Sequence, residues 1–151
     1  MHAVAKKSEH LSIEAESERL KRVILDKVGD LSGYEIAQNE VLVAIYMREE
    51  MTKGGIVLPY QNLKEDLYQA KAHLVLKIGA ACRFVRTDTK NGIEYGLPIQ
   101  LHDWVVLRPS DAWALDINAR PDLLKREDYV PCRMVHDDQI RARIDHPQMV
   151  W

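Results

Sequence analysis

Residues 39–59 read NEVLVAIYMREEMTKGGIVLP, and this stretch decides how the rest of the chain is interpreted. Residues 40–47 are almost all apolar, which is typical of a strand buried on both faces. A glycine pair then precedes three large apolar residues: Gly54, Gly55, Ile56, Val57 and Leu58. Because glycine loses much backbone entropy on ordering and charged residues flank the pair, the pattern favours a presented loop. A tight turn into a buried strand is the alternative.

Downstream, short extended runs alternate with turn residues. Residues 72–79 alternate in polarity, which predicts a strand with one solvated face. Asn91 and Gly92 both tolerate positive φ and predict a hairpin between two short runs. Further extended segments are predicted at 103–108, 113–117, 131–135 and 140–144, with a turn at residues 137–138. About seven strands in all predict a mainly β fold, a small barrel or sandwich.

Residues 12–28 have the spacing of an amphipathic helix. Its apolar stripe comprises Ile13, Leu20, Ile24 and Val28, with Val23 beside it. Gly29 is placed to end the helix. The helix either packs on its own domain or forms an arm that docks on a neighbouring subunit. We favour the arm, because the helix precedes the strand-rich region and is not embedded in it.

Bulk composition narrows the class of protein. The chain has 151 residues, of which 46% are hydrophobic and 29% charged, as in an ordinary globular domain. A net charge of −2 argues against nucleic acid as the main partner. The sequence contains neither a membrane-spanning run nor a signal peptide, so we expect a cytoplasmic protein without a membrane partner. Cys82 and Cys132 are isolated, which argues against a disulfide framework and against a zinc ribbon.

Candidates for catalytic chemistry are few. One segment gathers several titratable side chains: His136, Asp137, Asp138, Asp145 and His146. We interpret them as turn and capping residues because metal ligands are usually gathered from distant elements. His102 and Asp103 form a second turn, without any nucleophile or phosphate-binding motif. We therefore expect no catalytic residue, metal or cofactor, and a protein that is not an enzyme.

Tryptophans are the remaining distinctive residues. Trp104 and Trp113 lie in predicted strands, and we expect both to pack in the core. Trp151 follows two apolar residues at the end of the sequence, where a chain usually frays unless something holds it. We therefore predict that Trp151 contacts another subunit.

Taken in order, residues 39–145 resemble the GroES family of ten-kilodalton co-chaperonins. Residues 39–59 are similar to the first strand and mobile loop of that family, and residues 68–79 to the segment that returns into the barrel. The predicted hairpin takes the place of the family's roof hairpin. In residues 96–107, His102 and Asp103 stand where the family has Gly-Asp. Residues 132–144 are similar to the closing strand and acidic turn.

This resemblance implies a GroES-like β-barrel and a function. Chaperonin-binding residues would be Gly54, Gly55, Ile56, Val57 and Leu58. The chain would form a homo-oligomeric ring that caps the folding chamber of a GroEL-like chaperonin, to which the ATP chemistry belongs. Ile140 and Ile144, in the closing strand, would join Trp151 as subunit contacts.

Departures from the family leave a second hypothesis open. The bacterial family has no counterpart of residues 1–38, which we interpret as an N-terminal extension. The barrel is predicted at residues 39–145, and residues 146–151 are a tail that continues past the end of the family. Residues 119–131 also enlarge the connection before the closing strand. Divergent members of this kind resemble those carried by bacteriophages, which would act in the host cytoplasm. The alternative is a virion structural or capsid decoration protein whose partner is a capsid protein.

Overall fold

The described part of the chain contains one long helix and eight short strands. The structure, a computed structural model, describes residues 2–48, 67–119 and 129–150, with side chains from residue 12 onward. The elements are helix α1 (His2–Val28) and strands β1 (Glu40–Ile45), β2 (Ala72–Ile78), β3 (Val85–Thr87), β4 (Glu94–Gly96), β5 (Trp104–Val106), β6 (Trp113–Ile117), β7 (Val130–His136) and β8 (Ala142–Ile144). The predicted mainly β fold with an N-terminal helix is confirmed.

Six of the strands form one antiparallel sheet. Their order is β6-β7-β1-β2-β5-β8, so β1 and β2 are adjacent at the centre and β6 and β8 are the edges. Strands β3 and β4 form a separate hairpin. The predicted hairpin is thus confirmed, although of its two turn residues only Gly92 adopts positive φ, at 64°. The turn is longer than two residues, because the amide of Asp88 bonds the carbonyl of Ile93.

Both faces of the sheet are buried. On one face, which we call the helix-side core, Leu42 and Ala44 of β1 pack with Leu20 and Val28 of the helix. On the other face, the opposite core, the buried residues are Val41, Val43, Val75, Ile99, Val105, Leu107 and Val135. The alternation of β1 between these two clusters confirms that it is a strand buried on both sides.

The prediction that one face of β2 is solvated is wrong. His73 and Val75 are both fully buried, because the opposite core covers the face on which they lie. A bulge between Leu42 and Val43 of β1 changes the register with β2 and pairs Lys77 with Leu42. The Lys77 ammonium group donates hydrogen bonds to the carbonyl oxygens of Leu31 and Tyr34. This lysine is therefore only half exposed.

Helix α1 packs on its own sheet through its second half. Ser17, Leu20 and Val28 are buried, so the arm interpretation is wrong for residues 17–28. The helix begins at His2, earlier than predicted, and ends at Val28, where the amide of Gly29 bonds the carbonyl of Leu25. Residues 12–15 are exposed, since contact with the sheet begins only near Ser17.

Trp104 and Trp113 have opposite environments. Trp104 is 1% exposed in the helix-side core, as predicted, whereas Trp113 is 58% exposed, contrary to prediction. The difference follows from strand position: β5 has a neighbour on each side, but β6 is an edge strand that pairs only with β7. In the described part of the chain, no helix has an apolar run long enough to cross a bilayer.

Candidate functional site

The residues predicted to bind a chaperonin lie outside the described residues. These are Gly54, Gly55, Ile56, Val57 and Leu58, and Trp151 is also outside. The structure does describe both ends of the segment that carries the first five, residues 49–66. We call Tyr46 the entrance of this segment and residues 67–73 its exit. We call the entrance and the exit together the base.

The entrance is fixed by the buried side chain of Tyr46. Its amide donates to the carbonyl of Ala72 over 3.1 Å, which closes the base between β1 and β2. Its ring packs edge-on against Trp104, with ring centres 5.8 Å apart. The side-chain amide of Gln148 donates to its hydroxyl over 3.3 Å. The chain therefore leaves β1 from a position held by three other parts of the fold.

The exit is held by Arg133 of β7, which is only 4% exposed. One terminal nitrogen of its guanidinium, Nη1, donates to the carbonyl of Ala70 over 2.9 Å. The other, Nη2, donates to the carbonyl of Leu67 over 2.8 Å. Nη1 also lies 2.7 Å from Nε2 of His73. One side chain thus contacts three residues of the exit.

His73 is held in one protonation state and one tautomer. Its Nδ1 lies 2.9 Å from the carbonyl of Lys71, and a carbonyl can only accept, so Nδ1 carries the hydrogen. Nε2 is then free of hydrogen and accepts from Arg133. Burial, together with the positive charge of Arg133, lowers the pKa of His73 to about 3. The imidazole is therefore neutral at physiological pH.

Among the described residues, no carboxylate is bound to the buried guanidinium of Arg133. Its hydrogen bonds in the described chain go to two carbonyl groups and one imidazole. Burial lowers the pKa of Arg133 from its usual range. The group nevertheless stays charged at neutral pH, since an arginine side chain is not deprotonated in proteins. Carbonyl dipoles provide the compensation that a counter-ion would otherwise supply.

Helix α1 is joined to this base through Ser17. The indole N–H of Trp104 donates to the Ser17 hydroxyl over 2.9 Å, and that hydroxyl donates to the carbonyl of Asp145 over 2.9 Å. Trp104 in turn contacts Tyr46 at the entrance. The N-terminal extension and the residues after β8 therefore both support the base.

The predicted subunit contacts are less exposed than expected for a free interface. Ile140 is half-buried against the opposite core, and Ile144 is half-buried against the helix-side core. Large apolar side chains are more exposed elsewhere: Trp113 on edge strand β6, and Ile93 and Tyr95 in the hairpin. Whether Ile140 and Ile144 contact a second subunit stays a prediction.

Three of the titratable residues from the end of β7 onward, His136, Asp137 and His146, have structural partners. His136 lies 3.2 Å from a carboxylate oxygen of Glu40. Asp137 is buried, and its carboxylate accepts from the amide of Arg83 over 2.7 Å. His146 accepts from the amide of Gln148 and caps the short helical turn Pro147–Met149. Among the described residues, no three His, Cys, Asp or Glu side chains are placed to hold a metal ion.

Two other pairs from the sequence analysis also have defined surroundings. His102 is exposed, and the carboxylate of the adjacent Asp103 accepts from the amide of Gln100 over 2.8 Å, which closes their turn. Both cysteines are free thiols. Burial raises the pKa of Cys82 and raises that of Cys132 to about 12, so neither is prepared as a thiolate nucleophile at neutral pH.

Sequence reasoning does not single out Arg133 or His73. Arg133 interrupts an otherwise apolar strand, and His73 lies at a position assigned to a solvated face. Only the pairing of β1 with both β2 and β7 brings the two side chains together, across positions far apart in sequence.

In comparisons with known proteins, no family model and no curated protein sequence matches this chain. A functional interpretation therefore depends on the geometry described above and on the resemblance of residues 39–145.

Proposed function

We propose that this chain is a non-enzymatic, ring-forming co-chaperonin of the GroES type, whose segment 49–66 docks on a chaperonin. The observation that carries the proposal is where that segment is inserted. It connects β1 to β2, the two adjacent strands at the centre of the sheet, and both of its ends are anchored. The described residues on either side of the segment are therefore anchored in the buried centre of the sheet.

The chemistry of the tract suits a partner with an apolar groove. Burying each of Ile56, Val57 and Leu58 supplies about 1.5 to 3 kcal/mol before the cost of ordering is subtracted. Ordering a glycine-containing segment offsets much of that gain, so one segment binds weakly. A ring of identical segments converts weak single contacts into strong overall binding.

His102 gives local support to the resemblance. It adopts a positive φ of 67°, in the left-handed region that favours glycine. The GroES family has glycine at the position to which the resemblance assigns His102. The backbone here has the conformation that the family residue would require, although the side chain differs.

Ring formation and barrel closure belong to the same proposal. In the described part of the chain, the outer edges of β6 and β8 pair with no other strand. Exposed strand edges are templates for pairing with another chain, and closing a barrel or adding a neighbouring subunit would satisfy them. β8 carries Ile144, and Ile140 precedes it, so we assign subunit contacts to this edge, with Trp151 beyond it.

Complex formation tests the proposal. The purified protein is mixed with a bacterial chaperonin and ATP, and the two are separated by size. Co-migration of the ring with the chaperonin is the expected result. Failure to co-migrate, together with stoichiometric recovery of the protein on phage particles, would support the virion structural role instead and would end the co-chaperonin interpretation.

A further inference from the structure

We propose that Arg133 is a positioning residue for the exit, residues 67–73, acting through the carbonyl oxygens of Leu67 and Ala70. The inference rests on the proposed function, in which segment 49–66, the stretch just before the exit, is the docking element. Arg133 itself contacts no partner in this account. It sets the place and the direction in which the chain re-enters the fold.

The geometry fixes the exit relative to the entrance. Arg133 is paired with Val43 of β1, the strand that leads into the entrance at Tyr46. The same arginine binds carbonyl oxygens on both sides of residues 68–69. The entrance follows β1, and the exit is bound by a side chain of β7. The two ends are therefore attached to one pair of neighbouring strands. A shift of the exit would have to break at least two charge-assisted hydrogen bonds.

Only a guanidinium provides this set of contacts. Its N–H groups lie in one rigid plane, and here they reach two carbonyl groups and one imidazole at the same time. Lysine presents a single nitrogen on a flexible stem and cannot reproduce the fork. His73 completes the arrangement because it is fixed as the neutral tautomer that accepts at Nε2.

Stability alone does not explain an arginine at this position. Strand alternation places Arg133 on the same face as Val135, and its partner Val43 is apolar. An apolar side chain would fill such a site without removing a charge from water, and buried charges are often no more stabilising than apolar residues of similar volume. What the arginine adds is a constraint on residues 67–73.

Amide hydrogen exchange tests the constraint directly. We compare wild type with Arg133→Met, which keeps a long unbranched apolar stem but removes the donors, and with Arg86→Met, a control at an exposed arginine of β3. We expect exchange in the peptide 67–73 to accelerate by about tenfold or more in Arg133→Met alone, as local opening would produce. The peptide 41–43 in β1, which pairs with residues 75–78 of β2 beyond the exit, should keep its protection. Equal exchange in wild type and variant would overturn the proposal, as would uniform acceleration across the sheet.

A second variant covers the case in which Arg133→Met does not fold. Arg133→Lys keeps the buried charge and loses the fork, so it should show the same local acceleration. Affinity for the chaperonin is then measured for each folded variant. We expect Arg133→Met or Arg133→Lys to bind about tenfold more weakly than wild type and Arg86→Met to bind equally well. Unchanged affinity despite an opened exit would overturn the positioning role.

The two proposals fail in different ways. If wild-type protein does not bind a chaperonin, the proposed function fails, while the exchange comparison still decides whether Arg133 fixes the exit. If wild type binds and the Arg133 variants bind equally well, the function stands and the positioning role fails.

Discussion

The indole N–H of Trp104 donates to the hydroxyl of Ser17 over 2.9 Å, and this bond joins the sheet to helix α1. The same hydroxyl donates to the carbonyl of Asp145, so one side chain connects the helix, β5 and the residues after β8. Trp104 also packs against Tyr46 at the entrance of segment 49–66. Residues outside the predicted barrel thus contribute to the base of the predicted docking segment.

Substituting Ser17→Ala should destabilise the fold. It leaves the buried indole N–H of Trp104 without its acceptor, at a cost of about 1 to 3 kcal/mol. The higher helix propensity of alanine offsets about 0.5 kcal/mol of this cost. Denaturant unfolding measures the difference, with Ser110→Ala as a control at an exposed serine. Equal stability of Ser17→Ala and wild type would show that the hydroxyl bridge contributes nothing.

Gly79 should tolerate no side chain. A Cβ atom there would lie 2.3 Å from the carbonyl oxygen of Gln38 and 2.9 Å from that of Ala37, both backbone atoms. We expect Gly79→Ala to lower the free energy of unfolding by about 2 kcal/mol or more, because the backbone at the end of β2 must shift. Gly33→Ala is the matched control, since a Cβ at Gly33 meets nothing within 4 Å. A Gly79→Ala protein as stable as Gly33→Ala would contradict the described approach of β2 to residues 37–38.

The stability of the fold should fall as the pH is lowered below neutrality, in part through His73. Its pKa is about 3 in the folded chain, against about 6.5 when unfolded. Between these values the unfolded chain binds a proton that the folded chain does not, so stability rises with pH and is lost as pH falls. From pH 7 to pH 5 the loss from His73 amounts to about 2 kcal/mol.

The His73→Gln variant isolates this contribution. Glutamine can still accept from Arg133 but does not titrate in this range. Denaturant unfolding at pH 7, 6 and 5 should therefore give a shallower pH dependence for the variant than for wild type. Parallel curves for the two proteins would mean that His73 is not buried as a neutral acceptor.

Replacing His102 with glycine should raise the free energy of unfolding. An L-residue in the left-handed region is strained by about 1 to 2 kcal/mol, whereas glycine adopts it freely but loses more entropy on folding. His102→Gly should therefore stabilise the protein by up to about 1 kcal/mol in thermal or denaturant unfolding. Leu101→Gly, at the exposed neighbouring position with ordinary φ, should instead destabilise it. Destabilisation of similar size in both variants would contradict the described turn.

The sequence predicts most strands because local pattern controls them. β1 and β6 lie where their apolar runs predict them, and the hairpin follows from Asn91 and Gly92. Burial is less predictable, because it depends on what covers each face. Trp113 is exposed on an edge strand, and His73 is buried under a second core that alternation alone does not reveal.

The candidate site likewise combines features that the sequence reveals with contacts that only the fold reveals. The glycine pair and the apolar triplet can be recognised from their order in the sequence. By contrast, the contacts of Arg133 with Leu67 and Ala70 span more than sixty positions. They arise only when β7 pairs with β1, and no local pattern near position 133 indicates them.

Affinity for a bacterial chaperonin in the presence of ATP tests the central claim most directly, measured for wild type, Val57→Asp and Val23→Asp. Val23 is 45% exposed on α1 and undergoes the same chemical change away from the segment. We predict that Val57→Asp weakens binding by at least about tenfold, since each copy loses the burial of one apolar side chain. Val23→Asp should bind like wild type. Both variants should keep the oligomeric state of wild type. Binding that is absent in wild type, or equal in wild type and Val57→Asp, would contradict the account.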